Sequence, residues 1–118
     1  ISAVQAEKAC LNSKKVLCSL NDWMFGCGGV EKKLYPYGNE FKAGYCNEGR
    51  ATNPVNDLYG SNATFNSTEM NNPKLDLLPN TLAPSGSFEN CVTPYGVYDM
   101  NGNLDEWVSD TISSTGHG

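Results

Sequence analysis

A chain of 118 residues with eight Lys and Arg against thirteen Asp and Glu carries a formal net charge of −5, and its basic residues are scattered apart from the pairs Lys14-Lys15 and Lys32-Lys33. No basic patch exists to neutralise phosphates, which argues against a nucleic-acid partner, and no apolar run approaches the roughly 20 residues of a membrane-spanning helix. Hydrophobic residues make up 39% and charged ones 18%, with twelve glycines among many Asn, Ser and Thr, so turns and irregular loops are expected to outweigh regular elements.

In chain order, Val4, Ala6, Ala9, Cys10 and Leu11 fall on one face of a short helix over residues 3–12, which is expected to pack inward at Cys10. Ser19, followed three residues later by Asp22, has the form of an N-cap, so a second helix starts at Leu20 and stops at Gly28 and Gly29. Trp23 and Cys27, four apart, then share a face; core packing is the expectation for Trp23, and a ligand-stacking platform is the alternative. Tyr35-Pro-Tyr-Gly-Asn39 is a turn by composition. From there to about Pro84 the chain reads mostly as loop, with Leu75 to Leu78 as a brief apolar anchor.

Five cysteines without paired C-x-x-C clusters read as disulfides in an oxidising compartment instead of a zinc site. The sequons Asn62-Ala-Thr64 and Asn66-Ser-Thr68 sit in a stretch expected to be an exposed loop, which agrees with an extracytoplasmic location and a glycoprotein. His117 is the single histidine, near the end of the chain, so it reads as solvated and no Ser-His-Asp or Cys-His site is supported. Residues 95–110 pack oxygen donors and glycine between apolar anchors. Asp99 and Glu106 supply carboxylates and the Asn101-Gly102-Asn103 kink supplies main-chain carbonyls, the ligand chemistry of Ca²⁺. Asn-Gly between apolar stretches is equally the signal of a two-residue hairpin. An EF-hand is disfavoured, because Gly102 comes too early for its loop.

The blocks over residues 13–29, Leu34-Tyr-Pro-Tyr-Gly-Asn39, Tyr45-Cys-Asn47, Pro84-Ser-Gly-Ser-Phe88 and residues 95–110 follow one another in an order that resembles the formylglycine-generating enzyme family. This is the sulfatase-modifying-factor type of C-type-lectin-like domain, and the last block is the most specific. The resemblance implies an α+β, C-type-lectin-like fold, loop-rich with short helices and few strands, with residues 1–118 forming a single and partial domain. It implies structural calcium held by the side chains of Asp99 and Glu106 and the main-chain oxygens of Gly102 and Leu104. Asp105 stands where the family commonly has tryptophan, which removes an aromatic wall and no ligand. A second family calcium site begins at Asn47 and the carbonyl of Glu48 and is completed by an aspartate, for which Asp57 and Asp76 are both candidates.

Cys10 and Cys27 fall on family cysteines that pair, in some members, with cysteines of a C-terminal segment that these 118 residues do not contain. That segment or a second chain is therefore an expected partner through Cys10 and Cys27. Cys18, Cys46 and Cys91 stand where the family has other residues, and Cys46 with Cys91 is one pairing among those open. The family's oxidases hold copper with two thiolates of the same C-terminal segment, so copper is expected only if that segment carries them, and no catalytic residue carries over. The expected function is an extracytoplasmic, calcium- and disulfide-stabilised binding or structural module with a possible protein or glycan ligand. The alternative is the N-terminal part of a copper-dependent oxidase acting on substrate protein cysteines. Calcium-mediated sugar binding ranks lower, because an ion boxed by Asp99 and Glu106 is closed.

Overall fold

The computed structural model describes residues 1–110; His117 lies outside the described residues. Four helices appear in order, α1 (Ala3–Asn12), α2 (Leu20–Gly28), α3 (Pro54–Tyr59) and α4 (Ser67–Met70), followed by a 3₁₀ turn at Pro73–Leu77. Each start is set by a side chain that satisfies an orphan backbone donor. Ser2 and Gln5 form a reciprocal capping box on α1. Ser19 Oγ accepts from the Asp22 amide at 3.1 Å and donates to the Asp22 carboxylate at 2.7 Å, fixing the start of α2 where the sequence places it. That helix ends at Gly29 with φ of 67°. A Cβ on Gly28 would lie 2.7 Å from the Lys33 carbonyl oxygen, so the returning chain needs glycine there.

The segment expected to be mostly loop contains α3, α4 and the 3₁₀ turn, a correction with a local cause. Asn53, Asn66 and Asn72 each cap one of them, and Pro54 and Pro73 occupy first-turn positions where the missing N–H costs nothing. α3 packs against both of the other two, with Val55 buried. A second correction concerns α1, which buries no residue. Cys10 is half-buried, and Val4 and Leu11 stay 73% and 58% exposed. Its N-terminal amine reaches Asn71 Oδ1, a polar tether in place of an apolar seat.

No strand forms among the described residues, where a few were expected; two isolated antiparallel bridges, Tyr35 with Gly38 and Val92 with Tyr98, take their place. Pro36 and Gly38 close the first in a tight turn, and Pro94 and Gly96 do the same for the second, so neither ladder extends beyond one rung. The buried centre is small: Cys46 and Cys91 are 1% and 0% exposed, joined by Pro36, Val55 and Thr93. The Thr93 hydroxyl, accepting from the amides of Tyr95 and Val97 at 3.3 and 3.2 Å, escapes the cost of an unpaired buried oxygen. Stacked Tyr35 and Tyr37, with Tyr45 edge-on to Tyr37 at 4.9 Å, lead the chain into Cys46. No described helix is long and apolar enough to cross a membrane.

Candidate metal and ligand site

A disulfide between Cys46 and Cys91, 45 residues apart in sequence, holds the next residue, Asn47, beside the loop 101–104. This is the pairing that the sequence left open. Asn47 donates its amide hydrogens to the Thr81 carbonyl at 2.7 Å and to Asn103 Oδ1 at 2.8 Å, and its main-chain oxygen accepts from the Asn103 amide at 3.0 Å. Asn103 Oδ1 also accepts from the Ala83 amide at 2.8 Å, while Asn103 Nδ2 donates to the Ala83 carbonyl at 3.2 Å. One asparagine thus pairs with Ala83 as a strand neighbour would and joins three loops. It adopts φ of 68°, a left-handed conformation that asparagine tolerates better than most residues.

Gly102 is where the loops touch. Its φ is 77°, and a Cβ would lie 2.5 Å from the Asn47 carbonyl oxygen, so any side chain would force the seam apart. Asn101 Nδ2 donates to Glu48 Oε2, whereas Glu48 Oε1 is buried with no hydrogen-bond partner among the described residues. The alternative hairpin does not form at Asn101-Gly102, because the nearby antiparallel bridge closes one turn earlier, through the Thr93 amide donating to the Val97 carbonyl at 2.9 Å.

The six residues expected to bind calcium belong to two sites, and the structure brings two residues of each together. Asn47, Glu48, Gly102 and Leu104 line one cleft of about 670 Å³. Asp99 and Glu106 do not line that cleft, and each makes its hydrogen bonds through one carboxylate oxygen. Asp99 Oδ2 accepts from the Gly86 amide at 2.7 Å and the Ser85 hydroxyl at 3.1 Å, pinning the 84–88 turn. Glu106 accepts from Trp23 Nε1, so Trp23 is half-buried and fixed by its polar edge, neither fully in the core nor a free platform. Next to it Asp110 accepts from the Leu20 amide, and the Ser109 amide donates to the Cys18 carbonyl at 2.8 Å, so residues 106–110 lie against α2.

The two aspartate candidates separate as well. Asp76 lines the cleft. Asp57 is held by the Thr52 hydroxyl at 2.5 Å and by the Arg50 guanidinium, and the Thr52 hydrogen bond, with Arg50 beside it, lowers its pKa below the ordinary carboxylate value. Arg50 also donates to the carbonyls of Pro79 and Asn80 at 2.7 and 2.6 Å, binding the far side of the loop. Among the described residues no group of three His, Cys, Asp or Glu side chains converges as metal ligands. The donors at this seam are main-chain and amide oxygens with one carboxylate, which is hard-cation chemistry.

Cys10, Cys18 and Cys27 are free. Cys27 Sγ lies 3.6 Å from the Met100 carbonyl, and burial, then the nearby Glu106 charge, raises its pKa, which keeps it a thiol at neutral pH. Sequence reasoning missed Asn103 and Arg50 as the residues that assemble the site. The signal for Asn103 was present in Asn101-Gly102-Asn103 and was read as a local kink; Arg50 carried none.

These features define a class of protein: a loop-rich domain whose oxygen-donor turn is knitted to a distant loop by a disulfide and paired amides. The family model for the sulfatase-modifying factor enzyme 1-like domain matches residues 5–117, and the chain belongs to that family. No curated protein and no solved structure matches it.

Proposed function

We propose that the chain is an extracytoplasmic binding or structural module on a C-type-lectin-like scaffold of the formylglycine-generating-enzyme type, stabilised by its disulfide and by calcium. The observation that carries the reading is Glu48 Oε1, a buried carboxylate oxygen without a hydrogen-bond partner among the described residues, beside Asn47 and the Gly102 turn. An unpaired buried carboxylate oxygen is costly, and a dehydrated cation offsets that cost. Both amide hydrogens of Asn47 are committed, which leaves its Oδ1 free among the described residues. Asn47, Glu48, Gly102 and Leu104 would hold the ion from the cleft side, with Asp76 in reach of the same cleft. Asp99 and Glu106 each use one carboxylate oxygen in the hydrogen bonds described, so the other remains for a ligand role. Bound calcium would supply charge compensation between loops whose own apolar packing is thin.

Thermal unfolding in calcium, magnesium and chelator tests this. A ligand that binds only the folded state at a hundred times its Kd adds about 2.7 kcal/mol, which in a domain of this size raises the midpoint by several degrees. Calcium is expected to do so and magnesium to do less. Identical midpoints in all three would sink the calcium reading.

A further inference from the structure

Asn101 is followed by glycine, whereas every other asparagine of the chain is followed by a residue with a side chain. That pair is the one most open to succinimide formation, in which the next residue's amide nitrogen attacks the asparagine Cγ. Glycine neither blocks the approach nor restricts the backbone that must turn to permit it. Gly102 is exposed, and its amide donates no hydrogen bond among the described residues, so the nucleophile is free. The leaving group is not. Asn101 Nδ2 donates to Glu48 Oε2, which holds the side-chain amide across the seam.

We propose that Asn101 is a site of spontaneous deamidation, restrained by Glu48, and that its product unfastens the seam. A bond forms between Gly102 N and Asn101 Cγ, the Cγ–Nδ2 bond breaks and ammonia leaves. One water then opens the succinimide to aspartate or isoaspartate, and nothing is oxidised or reduced. Either product replaces an N–H donor with a carboxylate facing Glu48, so a hydrogen bond becomes like-charge repulsion between two half-buried residues. Isoaspartate also lengthens the main chain by one carbon directly before Gly102, where the Asn47 carbonyl leaves no room even for a Cβ. The contacts next in line are the Asn103 amide on the Asn47 carbonyl and the Ala83 amide on Asn103 Oδ1. Only Glu48 Oε2 takes part, so the oxygen assigned to calcium is untouched and a failure here leaves the calcium reading standing.

Incubation of the whole chain at neutral pH in chelator, followed by peptide mass spectrometry and amide hydrogen exchange, tests it. Residue 101 is expected to convert ahead of every other asparagine. Glu48→Ala should speed that conversion several-fold, while Glu48→Gln, whose amide oxygen still accepts from Nδ2, should stay close to wild type. Circular dichroism confirms that each variant keeps its fold. In the isoaspartate form the Ala83 and Asn103 amides should exchange at least about tenfold faster than in fresh protein. Asn101→Asp, which adds the charge without the extra carbon, should fall between the two. Conversion spread evenly over the asparagines overturns the site, and a wild-type rate in Glu48→Ala overturns the restraint. Unchanged exchange at Ala83 and Asn103 after conversion overturns the unfastening. Equal exchange in Asn101→Asp and the isoaspartate form overturns the part given to the longer main chain.

Discussion

Residues 46–50 and 81–104 meet through a disulfide and a relay of amide hydrogen bonds, whereas α1 and α2 meet the rest of the described chain through a few polar contacts and one aromatic stack and leave apolar side chains outside. Phe25 stacks on Tyr95 at 5.4 Å with both rings half exposed, and α1 buries nothing. The difference shows two ways of ordering a chain with little core. At the seam, covalent and polar links hold loops that hydrophobic burial could not. In the helical part, capping and local hydrogen bonds hold each helix, and docking falls to Trp23, Asp110 and Cys18.

The comparison breaks most completely at Cys46 and Cys91. Replacing both with alanine frees a loop of 45 residues, worth about 4 kcal/mol in the chain-entropy account, a large share of the 5–15 kcal/mol typical of a domain. Urea unfolding should show a much lower midpoint, whereas Cys18→Ser should leave it almost unchanged. Equal midpoints for the two variants would remove the disulfide from its central place.

Asn103→Ala comes next. It strands the Ala83 amide and carbonyl and one Asn47 amide hydrogen, and a buried polar group left unpaired costs about 1–3 kcal/mol. Asn103→Gly separates this from backbone strain, since it keeps the left-handed turn and loses the same bonds. If the glycine variant is as stable as wild type, the side-chain hub is not what holds the seam.

Acid sharpens the contrast on a smaller scale. Asp57 has a lowered pKa in the folded state, so its contribution is fully present above the ordinary value of 3.8 and is lost as pH falls through the lower folded value. Asp57→Asn should flatten that part of the stability curve, measured by denaturant titrations from about pH 5 downward, and an unchanged slope would show that Arg50 and Thr52 do not act through it.

The smallest effect is chemical and concerns the helical part. Cys18 is exposed and should alkylate first with iodoacetamide at neutral pH, with Cys27 slower because burial and Glu106 keep it protonated. Glu106→Gln should quicken labelling of Cys27, read by peptide mass spectrometry. No change would place the whole effect in burial.

How much of this was legible depended on how local the cause was. Ser19 with Asp22 specified α2 because an N-cap acts within four residues. α3 and α4 were hidden because helices of six and four residues are too short to show an apolar period, although Asn-Pro at 53–54 and 72–73 marked two of the three starts in that segment. The outward face of α1 was not legible, since periodicity tells that a face exists and not whether anything covers it. Asn47 and Glu48 were identified through the family pattern, yet their junction with Asn103 depends on a contact across 56 residues of sequence, which no local signal encodes. The buried and unpaired oxygen of Glu48 is likewise a property of the assembled loops alone.

Because Cys46 and Cys91, 45 residues apart in sequence, are joined, the stretch between them and its ends form a covalent ring. A protease that cuts the exposed turn at Ser61 and Asn62 would leave one molecule of unchanged mobility on a non-reducing gel, separating into two pieces only after reduction. The ring is thus a cassette: α3, α4 and the 3₁₀ turn can be lengthened, cut or exchanged while its two ends remain sutured beside Asn47.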